Sequence, residues 1–190
     1  MPDRSEALSL LHEWVDNDGL RKHMLSVEAA MRHYARLHGE DEECWGLAGL
    51  LHDLDWERYP DEHPRRALAH LRDLGYPPEV LGAIESHAPD RTGRIPDTLM
   101  ERTLFACDEL SGLVFACCLV RPNGIDDLKP KSVTKKLRDR AFAAGVNRDD
   151  VAHGLELVGL ERSEHIQHVI DAMRSVAAEL GVRAVDRGTP

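Results

Sequence analysis

Apolar residues recur along the chain at helical spacing, in blocks separated by Gly, Pro and Asp, and no block sustains a period of two. The blocks predict helices over about residues 5–16, 20–38, 42–52, 64–74, 78–87, 97–119, 131–143, 148–158 and 163–180, with no internal repeat. This is an all-α pattern. The long apolar block over 97–119 predicts a central helix, opened by Pro96 as a stop and Asp97 as N-cap and closed by the turn Arg121-Pro122-Asn123-Gly124. Between two helical blocks, DLDWERYPDEHP (Asp53 to Pro64) is polar, holds two prolines and fits no helical period, so it reads as a loop.

A length of 190 residues suits one domain, and the chain is read as a single unit over 1–190. Its 42% hydrophobic and 31% charged residues suit a compact globule, and an aromatic content of only 5% argues against a β-sandwich. The formal charge of −10 opposes the phosphate backbone, so no nucleic-acid partner is expected. Acidic residues interrupt the N-terminal apolar stretch, which therefore resembles neither a secretory signal nor a transit peptide. No run of eighteen apolar residues occurs, so no membrane span is expected, and the reading is of a soluble, cytoplasmic protein. Cys44, Cys107, Cys117 and Cys118 lie in apolar stretches without C-x-x-C spacing, which favours buried reduced thiols over a disulfide or a thiolate metal site.

Among eleven histidines, placement is more informative than number. His23 shares a helical face with Val27, Ala30, Tyr34 and Leu37, at offsets of 4, 7, 11 and 14. His52 shares one with Trp45, Ala48 and Gly49, and Asp53 follows it directly. His87 lies at offsets of 7 from Val80 and 3 from Ile84. Asp108 interrupts the most apolar helix, where an ionised carboxylate needs a cation or a metal. Each alone could be an ordinary packed histidine or helix acid. Together they are imidazole and carboxylate donors that several helices can aim at one interior point, the ligand types preferred by divalent metals.

His23, the doublet His52-Asp53 in LAGLLHDLDWE, and Asp108 in LFACDELSGL resemble the ordered H…HD…D pattern of the HD-domain metal-dependent phosphohydrolase superfamily. The resemblance extends to its HDIG-type branch through His63 in EHPRRALAHL and His87 in AIESHAP, and covers roughly residues 20–120, with a helical extension over about 125–182. It implies an HD-domain helical bundle holding one or two divalent ions, with Mn, Fe, Zn, Co, Ni and Mg not distinguished. Asp53 would bridge them and serve catalysis, His23, His52 and Asp108 would complete one coordination sphere, and His63 and His87 would serve the other. For His63, in a loop, the ordinary alternative is a solvent-facing side chain.

The sequence departs from HDIGK-like relatives by placing Trp56 where a lysine stands, so a phosphate contact from that position is not expected. Asp55 is a candidate catalytic residue as a proton relay, a partner for a ligand histidine, or a loop acid capping local backbone. Gly75-Tyr76-Pro77 resembles the GYP of cyclic-dinucleotide phosphodiesterases but lacks the motif that precedes it there, and a helix stop explains it. LKPKSVTKKLRDR concentrates lysine and arginine, either as a solvated helix face or as an anion-attracting rim, and Arg121 is the preferred substrate-binding residue. The other histidines, among them His153 and His165, read as surface or packing residues, and the tail GVRAVDRGTP as frayed. The expected activity is hydrolysis of a small phosphorylated substrate, nucleotides included. A di-iron oxygenase of the same fold and a non-catalytic metal- or nucleotide-binding module are the alternatives.

Overall fold

The computed structural model describes residues 2–184. Among these the chain forms eleven helices and no strand, as the all-α pattern predicts. They are α1 (Arg4–Trp14), α2 (Asp18–His38), α3 (Glu42–Leu51), α4 (Arg65–Asp73), α5 (Pro78–Ser86), α6 (Pro89–Thr92), α7 (Leu99–Leu119), α8 (Pro130–Leu137), α9 (Arg148–Val158), α10 (Arg162–Ser175) and α11 (Ala177–Leu180). No helix among the described residues is long and apolar enough to cross a membrane. All four cysteines are buried and free.

Local chemistry sets the helix boundaries. Asn17 caps α2 by accepting from Leu20 N, and Asp41 caps α3 by accepting from Glu43 N and Cys44 N. The cap of α7 is Thr98 rather than Asp97, because Thr98 and Glu101 form a reciprocal capping box. Helix α8 ends at Leu137, well short of the periodic block over 131–143. Beyond it the Arg148 guanidinium gathers the carbonyls of Asp139, Phe142, Ala143 and Val146, so that segment folds into turns around a cation. The block over 163–180 is broken between α10 and α11 at Val176, whose φ of −114° and ψ of 17° are not helical. The tail begins held rather than frayed: Ile125 N donates to Val182 O at 2.8 Å, and Ala184 N donates to the Asp126 carboxylate at 3.1 Å. Its last residues, 185–190, lie outside the described residues.

Helices α2 and α7 form the centre of the bundle, with α3 and α10 against α2 and with α5 and α9 against α7. Val27, Ala30 and Tyr34 are buried as the His23 face requires, whereas Leu37 is 52% exposed. Helix α3 is buried from Cys44 to Leu51, and a Cβ at Gly49 would meet the Glu28 backbone at 2.9 Å, so glycine permits that close crossing of α2. Buried Glu28 accepts from Arg4 at 2.6 Å and Arg32 at 2.8 Å, which offsets the cost of burying its charge. Buried His165 donates from Nε2 to Ala106 O at 3.0 Å, leaving Nδ1 to accept from Tyr34 OH at 2.6 Å. That packing role ties α10 to both central helices.

Candidate metal centre

The site forms where two short helices end against the two long ones. His52 and His87 are the C-cap residues of α3 and α5. Each turns its ring back on its own helix: His52 Nδ1 donates to Gly49 O at 2.8 Å and His87 Nδ1 to Ile84 O at 2.5 Å. These bonds occupy carbonyls near the helix ends and fix the tautomer, since a carbonyl oxygen can only accept. In the neutral imidazole Nε2 is then the nitrogen without a proton, and both rings turn it to the interior.

His63 reaches the same place from the loop before α4 and is buried, which excludes the solvent-facing alternative. Its Nδ1 donates to Asp55 Oδ1 at 2.7 Å, which leaves Nε2 as the acceptor of the neutral ring, and Nε2 also faces inward. The other oxygen of Asp55 accepts from Ala67 N at 2.8 Å in the first turn of α4. Asp55 is fully buried and does not line the cleft described below, and of its expected roles the geometry matches the partner of a ligand histidine, a positioning role. The ring of His63 and the start of α4 are held by one carboxylate.

His23 from α2 and Asp108 from α7 complete the cluster. His23 Nε2 lies 3.0 Å from Asp108 Oδ1 and 3.2 Å from His52 Nε2, and His52 Nε2 lies 3.3 Å from Asp108 Oδ1. His63 Nε2 and His87 Nε2 are 3.1 Å apart. Asp53 stands between the two groups. Its Oδ2 is 3.6 Å from His52 Nε2 and 3.8 Å from His23 Nε2, while its Oδ1 is 3.5 Å from His63 Nε2 and 3.7 Å from His87 Nε2. The donor atoms thus separate into His23, His52 and Asp108 on one side and Asp53, His63 and His87 on the other.

The donor set fits divalent ions on two grounds. Neighbouring ligands held about 2.0–2.2 Å from one ion at tetrahedral or octahedral angles lie about 2.8–3.6 Å from one another, close to the separations within each group. In addition, the Nε2 atoms of His63 and His87 face each other at 3.1 Å, and with both rings neutral and donating from Nδ1 neither can donate to the other, whereas a shared cation would satisfy both. The surroundings also favour positive charge. Burial alone would lower the pKa of His52, but the charges of Asp53 and Asp108 outweigh it and push it up to about 9. Burial would raise Asp53 and Asp108, yet His52 and the neighbouring imidazoles hold Asp53 down at about 2 and Asp108 well below the usual carboxylate range.

A cleft of about 500 Å³ opens from this cluster. Its lining includes His23, Asp53, His63, His87 and Asp108, so the centre is accessible. Trp56, Arg91, Glu109, Asp150 and His153 line it as well. Burial and the Asp108 charge push Glu109 up to about 7, although it accepts from Asn147 N at 3.0 Å. Arg121 is not brought here. It lies beyond the far end of α7, pairs with Asp127 at 2.7 Å and borders a separate groove with Lys135 and Lys136, so its assignment to substrate is corrected. Sequence reasoning missed Arg91 and Glu109 and set His153 aside. Glu109 had a signal in its adjacency to Asp108, and Arg91 in following His87 by four residues.

The family model of the HD domain matches residues 20–113. The chain carries an HD domain over these residues. The match begins just before His23 and ends just after Asp108, so it spans all six candidate donors, while α8 to α11 lie outside it. No curated protein and no solved structure matches the chain.

Proposed function

We propose that this HD-domain protein is a metal-dependent phosphohydrolase that cleaves a small phosphate monoester at a centre of two divalent ions. The observation that carries this reading is Asp53, whose two oxygens face separate histidine pairs, the disposition a carboxylate bridging two ions requires. His23, His52 and Asp108 would hold one ion and His63 and His87 the other, with Asp53 shared. Divalent ions bound there would supply Lewis-acid polarisation of a phosphoryl oxygen and a water of lowered pKa. The chain's own part is positional. The carbonyls of Gly49 and Ile84 and the carboxylate of Asp55 aim three imidazoles, which keeps the donors in place while the cleft admits substrate.

The lining also favours one phosphate over a polyphosphate chain. Among the described residues Arg91 is the only lysine or arginine along the cleft, whereas Asp90, Glu109 and Asp150 line it without belonging to the donor set. Further anionic groups would meet those carboxylates. Assay of the metal-loaded protein with chromogenic and nucleoside monophosphates, with and without oxygen, tests the reading. The expected result is phosphate release that persists without oxygen, stops with a chelator and is faster for monophosphates than for triphosphates. Turnover that requires oxygen, or that a chelator leaves intact, would contradict it.

A further inference from the structure

Arg91, in α6 four residues after His87, is held in an unusual way for a surface arginine. Its Cζ lies 4.8 Å from the centroid of the Trp56 ring, and Nη1 donates to Pro60 O at 2.5 Å. It makes no ion pair among the described residues. Its neighbours differ: Arg94 pairs with Glu85 and Glu101, and Arg66 with Glu62. The Trp56 contact and the Pro60 bond restrain the guanidinium, and that bond uses one of its five N–H donors. The others remain for a ligand, and the residue borders the cleft that exposes Asp53 and the histidines.

We propose that Arg91 is the anion-binding residue of the cleft, contacting the phosphoryl group of the substrate with guanidinium donors that Trp56 and Pro60 pre-orient. The proposal rests on the phosphohydrolase reading and deepens it by naming the residue that binds the phosphate. A planar donor fork suits two phosphate oxygens, and a guanidinium already restrained by two contacts loses less freedom on binding than a free side chain. Trp56 supplies the aromatic face on which the cation rests. Asp90, beside Arg91 in sequence, and Asp150 also line the cleft without pairing with Arg91, so no carboxylate among the described residues competes with the anion at the guanidinium.

Equilibrium binding of inorganic phosphate to the manganese-loaded protein tests this independently of turnover. Arg91→Gln should weaken phosphate binding by about tenfold or more, the loss of a charge-assisted contact. Arg91→Lys should fall between Arg91→Gln and the unaltered protein, because a point charge keeps attraction but not the fork. Arg121→Gln should bind as the unaltered protein does. Metal content measured alongside separates loss of the anion site from loss of the ions. If Arg91→Gln sheds metal, Arg91→Lys carries the comparison, and a Lys variant that binds phosphate like the unaltered protein overturns the proposal. Phosphate affinity within twofold of the unaltered protein in metal-loaded Arg91→Gln, or no phosphate binding by the unaltered protein itself, also overturns it. A protein that binds phosphate through Arg91 yet cleaves no ester would instead contradict the hydrolase reading and leave this one standing.

Discussion

Asp55 links the metal centre to the fold more directly than any donor does. One of its oxygens accepts from His63 Nδ1 and the other from Ala67 N, with no exposure to solvent. Asparagine at this position has one acceptor oxygen, so its amide nitrogen would face either a ring N–H or a backbone N–H. Asp55→Asn is therefore expected to reduce affinity for the ion at His63 and His87 by about tenfold or more, and to lower stability by about 1–3 kcal/mol. Metal titration and denaturant unfolding of the variant check both effects. Unchanged metal binding would mean that the Asp55 contact does not position His63. From sequence, the acid was recognisable as a partner for a histidine, because HDLDW places it two residues after Asp53. Its second bond, across twelve residues to α4, depends on how the loop folds back, which local pattern does not encode.

At the scale of elements, periodicity identified most helices because a buried face leaves a 3.6-residue signature whichever neighbour covers it. It failed where tertiary contacts end a helix, as at Arg148 beyond α8, and over the four-residue α6, which is too short to show a period. It also could not rank distances along a helix. Asp108 and Arg121 both belong to the α7 region, but thirteen residues at about 1.5 Å each separate them by roughly 20 Å. Arg91 was harder to find, since it reaches the cleft through a bend after His87. Helix α9 shows how an element outside the matched domain contributes. A Cβ at Gly154 would meet Ala106 Cα at 2.7 Å, so α9 packs directly on the α7 backbone and brings Asp150 and His153 to the cleft. Gly154→Ala should push α9 outward, costing about 1–3 kcal/mol and raising KM while metal content stays constant. Unfolding curves and steady-state kinetics read these effects, and an unaltered KM would remove α9 from the substrate wall.

For the whole molecule, the central fact is convergence. Donors from α2, the ends of α3 and α5, the loop before α4, and α7 span His23 to Asp108 in sequence, yet their ligand atoms lie within a few ångströms in two groups. One buried apolar cluster running from Ala7 to Val182 keeps those elements in register. The ordering of the donors was legible in the sequence, because His23, His52-Asp53, His63, His87 and Asp108 stand in motif contexts. Their separation into two groups with Asp53 between them was implied only by resemblance and needed coordinates to be seen. The measurement that tests this most directly is metal stoichiometry on the purified protein and on Asp53→Ala, each equilibrated with one divalent metal and analysed for bound ion per chain. Two ions in the unaltered protein and their loss or marked weakening in Asp53→Ala are the predicted result. An unaltered protein that binds none, or an Asp53→Ala variant that retains both with equal affinity, would contradict the account.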